Sequence, residues 1–333
     1  MRITRDLLLS LARDNATKFA AKDRSLVCVY LVGSLLREGA FLGGVTDIDL
    51  VCVHDKDIEP SREILRVNAD VHFDITHLPQ SHFEDTRKLR LDPWIGGSFD
   101  ESPLALRDPT HWFDFTRASV TGAFWKPNFL FDRVNSFAIR ARQTWQQISD
   151  ETIPQGLKRT ESYLEALSDT VNAIACFSGP PLTTRRLVLE LPSRAEEMNL
   201  PELTSSFISL YTNDAFTEEN WALWIPQWLN SFDALKTIKE APLDVIPTRR
   251  NYYEKAADVF SEDHPAAALW VVLRTWTTMA AVLPKSEEHY KNWQAFIKTL
   301  GLDSRGLRDR VQPLDELLES VEGVIEAWHA ENG

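Results

Sequence analysis

Residues 26–53 read LVCVYLVGSLLREGAFLGGVTDIDLVCV and determine the expected fold of the first part of the chain. The run Leu26–Val32 is apolar and rich in β-branched residues, which predicts a strand buried on both faces. The run breaks at Gly33-Ser34 into a predicted short helix, and twelve residues later an Asp-Ile-Asp sequence opens a second strand, Ile48–Val53. The stretch therefore predicts two buried strands joined by a turn that contains glycine.

The flanking sequence adds one helix and two strands to this pattern. Apolar residues between Leu8 and Ala20 recur at helical spacing, which predicts an amphipathic helix before the first strand. The segment Asp70–His77 alternates between apolar and polar residues and predicts a third strand, with Asp74 on its polar face. The segment Ser102–Pro109 predicts a fourth strand at an edge of the sheet.

Beyond about residue 130 the pattern becomes helical. Apolar stripes at helical spacing begin at Leu164, at Trp221 and at Leu314, and no comparable strand pattern follows Thr116. The sequence predicts an α+β protein, in which a small mixed-sheet domain at residues 1–125 precedes an all-helical domain at residues 126–333.

Charge restricts the classes of partner. The 333 residues contain 49 acidic and 36 basic side chains, which gives a net charge of −13. An acidic surface repels phosphate backbones, so nucleic-acid binding is disfavoured. The charge is compatible with a small cationic substrate, and equally with an acidic protein whose charge serves only solubility. It says nothing about the oligomeric state.

The sequence also predicts a cytoplasmic protein with no membrane segment. The apolar stretch near the N-terminus is interrupted by Arg13 and Asp14, unlike a secretory signal peptide. The longest apolar run, Ala266–Leu283, carries Arg274 at its middle, which would cost about 2.5–3.5 kcal/mol in a membrane. We therefore expect a buried helix in which Arg274 is a paired structural charge.

The chemically informative residues are the aspartates. Asp47 and Asp49 are two residues apart on a strand, so their carboxylates point to the same face. Adjacent carboxylates repel each other, and a Mg²⁺ ion bound to both removes that repulsion. Asp74 is the best candidate for the third carboxylate that a site with two metal ions needs, either as a ligand or as the group that accepts the nucleophile's proton.

The turn before these aspartates is suited to binding a phosphate. Gly33 allows the backbone to approach a phosphate closely, and Ser34 offers a hydroxyl and an N–H group at a helix start. Gly-Ser, twelve residues, Asp-Ile-Asp and an aspartate on the next strand together resemble the DNA polymerase β-like nucleotidyltransferase superfamily. Thr46 stands where that superfamily usually has serine. The resemblance implies that Gly33 and Ser34 bind a triphosphate, that Asp47 and Asp49 bind two Mg²⁺ ions, and that Asp74 completes the site.

A second resemblance concerns the helical half. Residues 171–203 loosely resemble the helical domain of kanamycin nucleotidyltransferase-like aminoglycoside adenylyltransferases, on a helix, the Thr183-Thr184 turn and a following helix. This implies transfer of a nucleoside monophosphate, expected to be AMP from ATP, to a hydroxyl of a small acceptor such as an aminoglycoside. Transfer to tRNA or to a protein, and a non-catalytic nucleotide-binding module, remain alternatives.

Several charged residues have both a functional and a structural interpretation. Arg37 is expected to reach the phosphates or to pair with Glu38 or Asp47, and Arg185 to contact the triphosphate or to lie on a helix surface. The carboxylates of Glu161, Glu165 and Asp169, spaced four residues apart, predict a solvated helix face or an acidic pocket for a polyamine-like acceptor.

Histidines cluster between residues 54 and 82, although not at the spacing of zinc ligands. His72 shares a strand face with Asp74 and is expected near the carboxylates. His54, His77 and His82 are expected at the surface.

Overall fold

The computed structural model describes residues 3–37 and 39–333, and the chain divides into two compact units, Met1–Leu130 and Phe131–Gly333. The fold class predicted from the sequence is confirmed, since a mixed sheet near the N-terminus is followed by helices alone. The sequence placed the boundary at residues 125/126. The observed division falls within a helix, Pro127–Ser149, and the guanidinium of Arg90 stacks on the Phe129 ring at 5.3 Å. This contact ties the first turn of that helix to the first unit.

The first unit is built on a five-stranded sheet, counted over the described residues. Its strands are β1 (Leu26–Val32), β2 (Thr46–His54), β3 (Arg62–Arg66), β4 (Val71–Pro79) and β5 (Leu104–Arg107). Their order across the sheet is β3-β4-β2-β1-β5. β2 and β4 are parallel, and the other neighbours are antiparallel. β3, which the sequence analysis did not predict, lies at the edge and links the parallel pair.

Helices cover both faces of this sheet. They are α1 (Arg5–Lys22), α2 (Thr86–Leu91), α3 (Ile95–Asp100) and α4 (Trp112–Phe124). Leu31 of β1 packs with Leu8 and Ala12 of α1 on one face. Tyr30 packs on the other face, where its ring stacks on Phe99 of α3 at 5.5 Å. Because both faces are buried, β1 and β2 carry apolar residues at consecutive positions instead of alternating ones.

The second unit is helical. Its helices are α5 (Pro127–Ser149), α6 (Leu157–Ala175), α7 (Leu187–Glu197), α8 (Leu203–Ser209), α9 (Glu218–Ala234), α10 (Arg250–Asp263), α11 (Pro265–Ala280), α12 (Glu288–Thr299) and α13 (Val311–Asn332). The apolar run around Arg274 forms α11, a core helix whose Trp270 and Trp276 are buried. Trp228 of α9 is also buried, and its indole N–H donates to Thr275 Oγ1 at 2.9 Å. Among the described helices, none is both long and apolar enough to cross a bilayer.

Candidate metal centre

Three carboxylates converge where β2 and β4 run side by side. The parallel register places Asp49 directly beside Asp74, and Asp47 beside His72. Asp47 and Asp49 share a face of β2 because they are two residues apart. One oxygen from each of Asp47, Asp49 and Asp74 lies within 4.8 Å of the other two. The structure thus brings together the three aspartates singled out in the sequence.

The surroundings make this concentration of charge costly. Asp47 is buried, with 4% of its surface exposed, and the side chain of Asp74 is 12% exposed. Two carboxylate charges about 4.8 Å apart repel each other by roughly 3–4 kcal/mol at an effective dielectric constant near 20. A cation would stabilise the cluster, and three hard oxygen donors are the ligand type that Mg²⁺ prefers.

Gly33 is the residue that allows the turn after β1 to lie against this cluster. Its φ of +79° and ψ of −162° belong to a region that only glycine adopts readily. A Cβ atom at this position would lie 2.2 Å from Oδ2 of Asp49. The glycine is therefore required for the close approach of the backbone to Asp49, a reason that the sequence alone did not reveal.

Ser34 connects the same turn to β2. Its hydroxyl lies 3.2 Å from the hydroxyl of Thr46, which is buried and donates to the backbone carbonyl of Asp47 at 3.3 Å. The predicted short helix is a single 3₁₀ turn, Ser34–Leu36. Three residues are too few for an appreciable helix dipole, so anion binding here would depend on the Ser34 hydroxyl and on backbone N–H groups.

Arg37 has an acidic partner. Its Nη1 lies 3.3 Å from Oε1 of Glu101, and its side chain is 35% exposed. Of the partners expected from the sequence, Glu38 lies outside the described residues. The predicted contact of Arg37 with phosphate remains a prediction, and it would have to compete with the Glu101 ion pair.

Arg62 is the residue at this centre that the sequence analysis missed. It lies on β3, and its guanidinium donates from Nε to Oδ1 of Asp74 at 2.8 Å and from Nη2 to Oδ2 at 2.7 Å. Both oxygens of Asp74 therefore accept a hydrogen bond from one cation, a geometry that gives strong ion pairs. Arg62 supplies one positive charge to a cluster of three negative charges.

A histidine pair lies further along the same two strands. His54 is buried, with its Nε2 3.0 Å from Nδ1 of His77 and its Nδ1 3.1 Å from the hydroxyl of Ser25. Nε2 of His77 lies 3.2 Å from Oε1 of Glu63. The expectation that His54 lies at the surface is wrong, because its ring bridges two strands. His72, expected near the carboxylates, is fully buried next to Asp47.

Arg185 belongs to the second unit and is buried, contrary to the alternative of a helix-surface residue. Its guanidinium carbon lies 3.6 Å from the centroid of the Tyr252 ring, a cation–π contact. Its neighbour Arg186 forms an ion pair with Glu190 at 2.8 Å. The predicted contact of Arg185 with a triphosphate remains a prediction.

Comparison with known protein families and with curated proteins finds no match to this chain. The functional interpretation therefore depends on the residues themselves. A largely buried group of three carboxylates, approached by a glycine-containing turn, can hold a metal ion.

Proposed function

We propose that this protein is a Mg²⁺-dependent nucleotidyltransferase that transfers a nucleoside monophosphate, AMP from ATP, to a hydroxyl group of a small acceptor. The observation that carries this proposal is the convergence of Asp47, Asp49 and Asp74 within 4.8 Å, beside the Gly33-Ser34 turn. Neither binding a phosphate nor filling a core requires three carboxylates in one place, whereas a site for two metal ions uses all of them.

The donor set fits Mg²⁺. Asp47 and Asp49 would hold the ions, and Asp74 would complete the set. When bound, Mg²⁺ neutralises charge on the triphosphate and on the leaving pyrophosphate.

The remaining steps use this chain's own groups. The backbone at Gly33 and the hydroxyl of Ser34 would bind the phosphates, and this would align the α-phosphorus with the acceptor oxygen. The acceptor oxygen forms a bond to the α-phosphorus while the bond from that phosphorus to the bridging oxygen of the β-phosphate breaks. The hydroxyl proton passes to a carboxylate oxygen of Asp74 once the Arg62 hydrogen bond to that oxygen is displaced, and pyrophosphate leaves.

The net charge supports the choice of acceptor. A net charge of −13 attracts a small cationic molecule and repels tRNA, so an aminoglycoside-like acceptor is favoured over a nucleic-acid end. A protein hydroxyl is the other acceptor that the chemistry allows.

The test is a pyrophosphate-release assay with each of the four NTPs, with and without a pool of aminoglycosides, a tRNA fraction or a protein fraction. We expect release from ATP that requires both Mg²⁺ and the small acceptors. Asp49→Asn should abolish it, whereas Asp57→Asn, an exposed aspartate just beyond the same strand, should not. Release that does not depend on Asp49 would refute the proposal. Release that occurs only with the tRNA or the protein fraction would keep the reaction and replace the acceptor.

A further inference from the structure

The helical unit contains a polar cleft that nucleotidyl transfer does not explain. Its volume is about 410 Å³, within the range of sites for small molecules. It lies among α5, α6 and α11, and charged and amide side chains dominate its lining: Arg140, Gln143, Gln147, Glu165, Asp169 and Arg274. All of these residues belong to the second unit.

Two of the four charged residues that line the cleft form an ion pair with each other. Arg140 donates from Nε to Oδ2 of Asp169 at 3.0 Å and from Nη2 to Oδ1 at 3.1 Å. The guanidinium of Arg140 also lies over the Phe137 ring at 4.4 Å, which fixes its position further. This pair forms one wall of the cleft and leaves Glu165 and Arg274 as the charges available to a ligand.

Arg274 is an unusual cation in its setting. It lies on the core helix α11, is half-buried, and has its guanidinium 5.9 Å from the Trp270 ring. Within residues 3–37 and 39–333, the guanidinium forms neither an ion pair nor a hydrogen bond. The expectation of a buried, paired charge is not met, because the residue is half-buried and its guanidinium forms no ion pair among those residues. Because no hydrogen bond or ion pair within those residues offsets this charge, an anion bound here would be stabilised by it.

Glu165 is the matching anion across the cleft. Over the same described residues its carboxylate also has no hydrogen bond or ion pair. Partial burial raises the pKa of Glu165; Glu161 and Asp169 raise it further, and Arg274 and Lys158 lower it. Burial likewise lowers the pKa of Arg274, against the opposing effect of Glu165, Glu161, Asp169 and Asp244. The two groups face one cleft without meeting.

We propose that this cleft binds a small zwitterion, whose carboxylate is held by Arg274 and whose ammonium group is held by Glu165. A simple cation would be attracted by Glu165 but repelled by Arg274, and a simple anion would be attracted by Arg274 but repelled by Glu165. The amides of Gln143 and Gln147 can bond to the polar remainder of such a ligand. The proposal concerns residues of the helical unit alone and does not depend on the nucleotide site.

The helix face that the sequence suggested for a polycation supports this choice. Each of its carboxylates has a cation nearby: Lys158 lies 2.9 Å from Glu161, Arg140 is paired with Asp169, and Arg274 acts electrostatically on Glu165. The face is therefore close to neutral overall, which favours a ligand that carries both charges over a polyamine.

The test is titration calorimetry on the full-length protein with zwitterions of increasing length: glycine, β-alanine, 4-aminobutyrate and 6-aminohexanoate. Spermidine serves as the cation alone and succinate as the anion alone. We expect one length to bind best, because the distance between Arg274 and Glu165 is fixed by two packed helices. The two single-charge probes should bind more weakly or not at all.

Substitutions identify the cleft as the site of binding. Arg274→Gln and Glu165→Gln should each lower the affinity for the best zwitterion by roughly tenfold or more, the contribution of a charge-assisted hydrogen bond. Glu165 is exposed, so its substitution is the one less able to disturb folding. Glu161→Gln removes a carboxylate that lies outside the cleft and is paired with Lys158, so it should change the affinity much less than Glu165→Gln does. Glu165→Gln keeps the test decisive if Arg274→Gln does not fold.

Three results would overturn the proposal. They are no heat of binding with any zwitterion, zwitterion binding that survives Glu165→Gln, and spermidine binding that is lost in Glu165→Gln but retained in Arg274→Gln. The last would assign the cleft to a cation instead. None of these results depends on whether the protein releases pyrophosphate.

Discussion

Replacing Arg62 by glutamine should make Mg²⁺ bind more tightly while it destabilises the metal-free protein. Arg62 engages both oxygens of Asp74, so a metal ion that uses Asp74 must first displace at least one of those hydrogen bonds. In Arg62→Gln this competition is gone. The three carboxylates then lack the arginine charge that offsets their repulsion, and a metal ion has more to gain from binding them.

The magnitude follows from the geometry. Hydrogen bonds to charged groups contribute about 1.5–3 kcal/mol when buried, whereas exposed ion pairs contribute about 0.2–1 kcal/mol. The Arg62 side chain is 36% exposed and that of Asp74 is 12% exposed, so the pair lies between these limits, at about 1–2 kcal/mol. The free energy of unfolding without metal should fall by about that amount. The affinity for Mg²⁺ should rise by about 5- to 30-fold, since 1.4 kcal/mol corresponds to a factor of ten.

Calorimetric titration of MgCl₂ measures the affinity, and urea unfolding in EDTA measures the stability. Arg62→Lys keeps the charge but loses the paired geometry, so its affinity should lie between those of the wild type and Arg62→Gln. Arg66→Gln is the matched control, because Arg66 lies on the same strand and donates to the backbone of Asn68. It should change neither quantity appreciably.

An unchanged or weaker affinity for Mg²⁺ in Arg62→Gln would refute this reasoning. It would mean that the ion pair persists when metal binds, so that Arg62 orients Asp74 instead of competing for it. Asp74→Asn would then be expected to reduce Mg²⁺ affinity at least as much as Arg62→Gln does.

Three further predictions concern single positions. Asp47→Asn or Asp49→Asn should abolish pyrophosphate release without lowering the unfolding temperature, because each removes one of three like charges; retained activity would falsify the catalytic assignment. Gly33→Ala should abolish Mg²⁺ binding by displacing Asp49, and it should cost more stability than Gly44→Ala. A Cβ at Gly44 has no atom within 4 Å, so that variant adds only the strain of positive φ, about 1–2 kcal/mol. Equal losses of stability in urea unfolding would exclude the clash at Gly33. Burial lowers the pKa of His54 from its ordinary value of 6.5, so the folded state resists protonation of this residue. The free energy of unfolding should therefore fall as the pH drops below about 6.5. A His54→Asn protein with the same pH dependence of stability between pH 5 and 8 would contradict this.

The sheet could be predicted from the sequence wherever a strand is buried. β1 occupies Leu26–Val32, the predicted range, because its apolar run and the following Gly33 mark both ends. β2 begins at Thr46, two residues before the predicted start, since acidic side chains at a strand end weaken the apolar pattern that locates it. The placement of Asp47 and Asp49 on one face of β2 could be predicted from the two-residue period of a strand alone.

β3 and its Arg62 could not be found in this way. β3 has the sequence REILR and lies at the sheet edge, where its residues are half-buried or exposed and show no apolar run or clean alternation. Its pairing with β4 depends on a register that no local pattern encodes, and that register sets Ile64 beside Asp74. Only then does Arg62, two residues earlier on the same strand, come within reach of the carboxylate. The cation that offsets the site's charge is thus a consequence of strand pairing.

The carboxylate face of α6 also could not be interpreted from local sequence, because some of its counter-charges are distant along the chain. Glu161, Glu165 and Asp169 are spaced regularly, so the sequence identified them as one face of a helix. Their counter-charges include Arg140, 29 positions before Asp169, and Arg274, which lies on another helix altogether. A face that is strongly acidic in sequence is therefore nearly neutral in the folded protein. Only the packing of α5, α6 and α11 shows that Glu165 and Arg274 line one cleft without a hydrogen bond between them, which is the arrangement that the proposed zwitterion would use.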